Sequence, residues 1–521
     1  MITNEIEFIL NDKLIKIQYI DPNVTVLNYL RTNKKLTGTK EGCATGDCGA
    51  CTAVIAELNN NKLKYKSINT CIMFLYSLHG KQLITVEYIG NNKLHPVQQA
   101  MIDNDGSQCG FCTPGFVMAM FGMYKNKIKP SNDNIDKYLA GNLCRCTGYN
   151  AIKTAVKKMY SYGKNDKFIK DEKKIIKLLK LISKNDVVIN TNKKHFYIPG
   201  NLKSLIRDTQ QSSKPIFLSG GTDLTLEVTK QNKDINSLIY LGNNKDLNYI
   251  KTNKNFLLVG AATPINDLIP QLKNIYPSFA NMYYRYGSIQ IRNLATVGGN
   301  LASASPIGDS SPALLALNCS IIIQGKKQRT INIKKFFLSY RKTVLNNKEF
   351  IKEIKIPIIK NSIFKCYKVS KRFDDDISSV FVAFLLKLKK NIISDINIAY
   401  GGMAATPKKA SKTEKFLIGR KFNYENIHKS KKIIENEFPK LKIRKVPSGT
   451  KVFDWNVPDE WNVSDAYVLD KKSNKIIDFK LNNLHLIGYS IPVNKIINKV
   501  ELFKHLHSLP KQPEAIPYIT S

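Results

Sequence analysis

Eight of the ten cysteines fall between residues 43 and 146, in two sets whose spacing could hold iron. Cys43, Cys48 and Cys51 read C-x4-C-x2-C, and Cys71 offers a remote fourth thiol. This is the plant-type arrangement for a [2Fe–2S] cluster, in which each iron takes two thiolates and a tight loop gathers three of the sulfurs. Gly42, Gly46 and Gly49 clear side chains from that loop, so backbone N–H groups can approach the sulfurs. Zinc favours paired C-x2-C knuckles, which this loop is not. The second set is Cys109 and Cys112, then Cys144 and Cys146 after 31 intervening residues. Its C-x2-C…C-x-C spacing alone fits zinc as well as a second cluster. A redox dithiol at Cys109 and Cys112 would need a thioredoxin-like surrounding pattern, which the sequence does not have.

Two Gly-containing segments suggest phosphate chemistry. Leu218-Ser219-Gly220-Gly221-Thr222-Asp223-Leu224 follows an apolar stretch, and successive glycines can turn backbone N–H groups toward an anion. The stretch from Gln290 to Asp309 again joins Gly-Gly, at 298–299, to hydroxyls, Asn and Asp. Neither is a G-x-G-x-x-G fingerprint, so a Rossmann site is excluded. Either segment by itself reads as a structural turn.

The elements that must position these residues change character along the chain. Residues 5–17 read as two strands around an Asn-Asp turn, Thr25 caps a short helix through Leu30, and strands are expected at 52–56 and 83–88. From Pro96 the apolar spacing is helical, over 97–102 and 115–124, then in a helix capped by Ser131 and another from about 151 to 160. Residues 163–194 read as a Lys-rich linker with an amphipathic helix (Ile175, Leu178, Leu179, Ile182). Strands alternate with short helices over 195–360, an α+β pattern. A further unit covers 361–438, and an atypical tail with both tryptophans, Trp455 and Trp461, covers 439–521.

The formal charge is +39, yet the lysines are scattered and no nucleic-acid reading motif accompanies them, so no nucleic-acid partner is expected. The longest apolar run, 380–386, is far short of the ~20 residues a membrane helix needs. The N-terminus lacks a signal-peptide pattern. A cytoplasmic location is expected, where thiols stay reduced, so the clustered cysteines ask for metal rather than disulfides.

The order of the sets, with Gln108-Cys109-Gly110-Phe111-Cys112-Thr113-Pro114-Gly115 and Cys144-Arg145-Cys146-Thr147-Gly148-Tyr149, resembles the iron–sulfur region of the xanthine dehydrogenase and aldehyde oxidase family. The resemblance covers about residues 2–160, and the two Gly-containing segments are similar to the family's FAD domain. It implies an α+β multidomain chain: a β-grasp ferredoxin-like domain at 1–90, a four-helix [2Fe–2S] domain at 91–162, and an FAD-binding domain at 195–360. A truncated or altered C-terminal flavoprotein subdomain would follow at 361–438, without its last helix pair. By the same resemblance the helical-domain cluster lies nearer molybdenum, with Cys146 closest to a partner's molybdopterin, and the plant-type cluster lies nearer flavin. Phe217, Leu218, Ser219, Gly220, Gly221, Thr222, Asp223 and Leu224 would wrap the FAD diphosphate. Thr296, Gly299, Asn300 and Asp309 would contact FAD, and Tyr286, Ile351 and Lys368 would neighbour its ring. Segments 339–343 and 373–377 are also family-like, the acidic 373–377 loop near the flavin and the NAD approach, though three aspartates also suit a solvated turn.

What the resemblance implies is an electron-transfer subunit, as in the two-subunit bacterial xanthine dehydrogenases. A molybdopterin-binding large subunit, for which 521 residues leave no room on this chain, would oxidise hypoxanthine or xanthine. Electrons would pass singly through the helical and plant-type clusters to FAD and leave as hydride to NAD, in a heterotetramer or larger assembly. Rival readings are an aldehyde or N-heterocycle oxidoreductase using oxygen or quinone, a cluster-only carrier with a defective flavin site, and a zinc-stabilised basic binding protein. The tail resembles the N-terminal part of zinc aminopeptidase-like proteins. No peptidase activity is expected, and His505 and His507 read as surface histidines.

Overall fold

Asn11, at a φ of 61°, turns the chain between the antiparallel strands Ile6–Leu10 and Lys13–Ile17. A second hairpin joins Thr52–Asn59 to Lys62–Asn69 across Asn60 and Asn61, whose φ values of 47° and 60° are the left-handed pair a two-residue hairpin turn needs. The sequence reading passed over Lys62–Asn69, because lysines at 62, 64 and 66 disguise a strand that turns buried from Tyr65 onward. Gln82–Ile84 completes a five-stranded mixed sheet. The strand expected at 83–88 stops there, and Val86–Ile89 is a helical turn after Thr85.

The computed structural model describes residues 2–510, apart from 91–92, 164–165, 183–184, 192–193, 439–445, 460, 482–485, 488–489 and 508. It contains two compact units, Met1–Leu441 and Lys442–Ser521. In the first, four helices follow the sheet: Pro96–Asp103, Thr113–Lys125, Asn132–Leu139 and Asn150–Lys158. Thr113–Lys125 is buried from Gly115 to Tyr124, because it is covered by the sheet residues Val54, Ala56 and Tyr65 as well as by its neighbouring helices. A helix apolar on all sides must be enclosed in this way.

The 163–194 stretch, expected as a linker, holds the helix Lys167–Leu181 and the strand Asp186–Asn190. Ile175, Leu179 and Ile182 pack with Ile9 of the first sheet. Asp166 caps the helix by accepting from Ile169 N (3.0 Å), and it also meets Lys125 Nζ at 3.0 Å and the buried His95 ring at 3.4 Å. Asp186–Asn190 lies between Ile2–Thr3 and His195–Ile198 in a sheet completed by Ser237–Tyr240 and Ile216–Leu218. The N-terminal residues thus form an edge of the flavin-region sheet. The two regions share one core, in which Tyr76 stacks on Phe196 at 4.6 Å.

A third five-stranded sheet (Ile250–Thr252, Phe256–Gly260, Phe350–Pro357, Ser320–Gln324, Gln328–Asn332) backs the helices at 265–302 and 310–316. The last sheet of this unit, from Ile363 to Lys409, carries the helices Ser411–Leu417 and Tyr424–Glu437. Both helices fall inside the strand-and-helix unit expected over 361–438; Phe416, Leu417, Ile434 and Phe438 close a small core with Ile393 and Ile398. The second unit holds two short hairpins and the helix Lys499–Phe503, and none of its described residues is buried. His505 and His507 are exposed there, and residues 511–521 lie outside the described part. Among the described residues no helix is long and apolar enough to cross a membrane.

Candidate functional site

In the first thiol set, Cys43 faces Cys48 and Cys71, and Cys51 faces Cys71, all within hydrogen-bonding reach. The loop winds through left-handed backbone at Ala44, Gly46 and Gly49 (φ 52°, 80° and 71°). That winding aims the N–H groups of Thr45, Asp47 and Cys48 at Cys43 Sγ, each at 3.4 Å. In the second set Cys112 faces Cys144, and Cys109 faces Cys146. Here Cys144 Sγ accepts from Cys146 N (3.4 Å), Thr147 N (3.5 Å) and the Thr147 hydroxyl (3.3 Å). Among the described residues no three His, Cys, Asp or Glu side chains converge as the shell of a single ion. Four thiols gathered in each set, linked through Cys43 and Cys71 in the first and meeting as two pairs in the second, with N–H donors on one sulfur of each, suit two-iron clusters, where each iron takes two thiolates.

The two sets are joined directly. Leu143 N, beside Cys144, donates to Cys48 O at 3.0 Å, and Asn142 Nδ2 donates to Gly49 O at 3.0 Å. A Cβ on Gly49 would lie 2.1 Å from Gly141 O, and one on Gly115 would lie 2.3 Å from Gly49 O. Only glycine permits this approach. Exposure differs sharply between the sets: Cys51 and Cys71 are buried, whereas Cys109 and Cys146 are exposed beside the half-exposed Phe111.

The two Gly-containing segments lie face to face. A Cβ on Gly220 would come within 1.9 Å of Leu294 O, and the Ser219 and Thr296 hydroxyls meet at 3.2 Å. Thr296 caps the helix Val297–Ala302 by accepting from Gly299 N (3.1 Å); a Cβ on Gly299 would meet only that hydroxyl, so this side is open. Open backbone beside paired hydroxyls suits a diphosphate. Gly221 (φ 76°) turns the chain, Thr222 is half-buried, Asp223 meets Arg341 at 3.6 Å, and Leu224 packs into the shared core. Phe217 rests on Phe350 at 5.6 Å, with Ile351 buried next along that strand.

Further along, Asn300 links the Tyr286 hydroxyl (3.2 Å) to Ser310 N (3.2 Å), and buried Lys368 and Asp309 pair at 2.7 Å. The sequence reading thus named two groups that the fold brings together, one around Ser219–Thr296 and one around Asn300–Lys368. It gave no role to Ile72 or Arg285, nor to Gln290, Ile291 and Arg292, although these last three open the second Gly-containing segment. Arg285 holds the 368–373 backbone through Lys368 O (3.0 Å), Phe373 O (2.9 Å) and its stacking on the Phe373 ring (4.3 Å). Arg292, 2% exposed, is brought down to about 10 by burial. In the acidic loop, burial first and then the Asp47 charge push the Asp375 carboxyl up to about 7.

Family models match most of the first unit. The [2Fe-2S] binding domain matches residues 85–157, the FAD binding domain in molybdopterin dehydrogenase 190–359, and the CO dehydrogenase flavoprotein C-terminal domain 365–448. Residues 460–521 match a domain of unknown function. A xanthine dehydrogenase of Emericella nidulans is 32% identical over 479 residues, covering 80% of this chain and 35% of the relative. One from Oryza sativa subsp. japonica is 31% identical over 494 residues, covering 80% and 36%. The chain therefore spans about a third of the length of the curated relatives it matches. A solved carbon monoxide dehydrogenase chain from Hydrogenophaga pseudoflava overlaps at a TM-score of 0.44 with 23% identity, over 47% of this chain and 87% of that one.

The raised Asp375 carboxyl sets a pH dependence. Its unfolded value is ~3.9, so across the window from there to the folded value the folded chain holds the extra proton and loses stability as pH rises. Asp375→Asn keeps an acceptor for Ser288 N and removes that loss. The variant is expected to match the parent near pH 4 and exceed it by roughly 1–3 kcal/mol above pH 7, after discounting for partial exposure. Denaturant melts across pH read this directly, and a difference independent of pH sinks the assignment.

Proposed function

The chain belongs to the molybdenum hydroxylase family, of which it carries the iron–sulfur and flavin region, and we propose that it is the electron-output subunit of a xanthine dehydrogenase. In this reading Cys43, Cys48, Cys51 and Cys71 hold the buried cluster, and Cys109, Cys112, Cys144 and Cys146 hold the exposed one. Ser219 to Thr222, Thr296 and Gly299 take the FAD diphosphate, with Tyr286, Asn300, Asp309, Ile351 and Lys368 nearer the ring. Bound there, the clusters carry single electrons and the flavin pairs them for two-electron transfer.

One observation carries the reading: the thiol sets and the Gly-rich segments form an unbroken series. Leu143, adjoining Cys144, bonds the carbonyl of Cys48, and Ile72, adjoining Cys71, lies against Gly221. The N–H donors on Cys43 and Cys144 stabilise thiolate charge, which is how a protein tunes such a centre. Burial of Cys51 and Cys71 excludes water from the inner set, while exposed Cys109 and Cys146 face outward, where a molybdopterin subunit would dock. The buried Lys368–Asp309 ion pair, at 2.7 Å, fixes two of the side chains that this reading places nearer the flavin ring. Purine as substrate follows the names of the relatives, and NAD as acceptor follows the family resemblance of the sequence.

Visible absorption with iron and flavin assays on the anaerobically purified chain is expected to give brown-red protein with about four irons and one FAD. Colourless protein sinks the reading, and iron without flavin leaves only a cluster carrier. Cys48→Ser should remove about half the iron and one of two reduced-cluster signals in electron paramagnetic resonance, sparing the other. Two unchanged signals would refute the ligand assignment. For the acceptor, the complex with its molybdopterin partner is expected to form NADH from xanthine without oxygen. Xanthine oxidation that yields none points to oxygen or quinone instead.

A further inference from the structure

The segment from Ser288 to Thr296 lies in the flavin region, yet it touches both thiol loops and the diphosphate loop. Gln290 is fully buried. Its Nε2 donates to Asn142 Oδ1 at 2.8 Å and reaches Thr52 Oγ1 at 3.4 Å. Asn142 is two residues before Cys144, and Thr52 directly follows Cys51. A single amide therefore binds the residues flanking a ligand of each cluster. Asn142 Nδ2 closes the triangle onto Gly49 O (3.0 Å) and Thr52 Oγ1 (3.2 Å). One residue on, Ile291 packs against Cys51, Cys71 and Ile72. At the far end of the segment, Leu294 O lies where a side chain on Gly220 would be, and Thr296 meets Ser219.

We propose that 288–296 mechanically couples the flavin site to the clusters, with Gln290 the positioning residue that sets the spacing between the two clusters. The inference rests on the cofactor reading above. Both thiol loops near this point are backbone packed on backbone through glycine, and the side chain that bridges them is Asn142. The Gln290 amide holds Asn142 through its Oδ1, and the Gly220–Leu294 contact ties the placement of Gln290 to the loop that takes the diphosphate. Filling that loop with FAD then orders the segment and, through Gln290, the cluster pair. A buried hydrogen-bond network of this kind holds one geometry when satisfied and loses it when a donor is removed.

The test is Gln290→Glu, of equal size, which replaces the donor facing Asn142 Oδ1 with an acceptor. Gln290→Asn, one methylene shorter, serves if the first variant does not fold. Full-length protein is reduced with dithionite, and the magnetic splitting between the two reduced clusters is read by electron paramagnetic resonance, with and without bound FAD. In the parent the splitting should change when FAD is stripped. In the variant, with iron and flavin content unchanged, it should be altered and should no longer respond to FAD. Splitting and FAD response equal to the parent overturn the coupling while leaving the cofactor reading intact. Parent protein lacking iron or flavin sinks both.

Discussion

The constraint on which the structure depends is the close packing of three backbones around Gly49. Gly141 and Gly115 approach it from the helical region to distances no side chain would tolerate, and Asn142 bonds its carbonyl. Beside the thiol loops the separation is set by peptide groups, which are stiff, rather than by side chains, which adjust, while the sheet and the helix Thr113–Lys125 share a broader apolar face. The flavin region adds Gln290 at the same point.

Around it, charge and apolar burial have separate tasks. Shared cores, such as Tyr76 on Phe196 between the first sheet and the flavin region, supply the non-directional attraction. Ion pairs set register where apolar surfaces could slide: Lys66 is 6% exposed and reaches Glu57 at 2.7 Å and Asp267 of the flavin region at 3.5 Å. Breaking such a pair by removing one partner leaves a buried charge, a cost of roughly 3–5 kcal/mol. Asp166 does the same for the helix Lys167–Leu181, joining its N-terminus to Lys125 and His95. The stretch that reads as a linker is therefore a structural part of both regions it connects.

Among the buried charges near the site, Lys368 is paired with Asp309 at 2.7 Å, and the aspartates of the acidic loop offset part of the cost of burying Arg292. Arg285, held on the backbone of 368–373, places that loop where Arg372 can approach Asp47 at 3.7 Å, one residue before Cys48. The run of three aspartates, which suits a solvated turn, here lies beside that contact: Asp376 accepts from Arg372 N at 2.9 Å.

The sequence by itself determined the chemistry and most of the local elements. Cysteine spacing is a local property of loops, so both thiol sets stand out in the sequence as candidate metal sites, and helix caps such as Thr25 and Ser131 act over three residues and were read correctly. Spacing left zinc open for the second set; only a family resemblance turned it toward a cluster. What tertiary structure decided was everything that needs two distant segments: the pairwise facing of Cys112 with Cys144, the meeting of Ser219 with Thr296, and the sheet that takes Ile2–Thr3 beside Asp186–Asn190. Gln290, though it opens a segment the sequence singles out, and Ile72 have no legible role because that role lies in what they touch across chain separations of 148 and 149 residues, and a contact of that kind is not a property of either sequence neighbourhood.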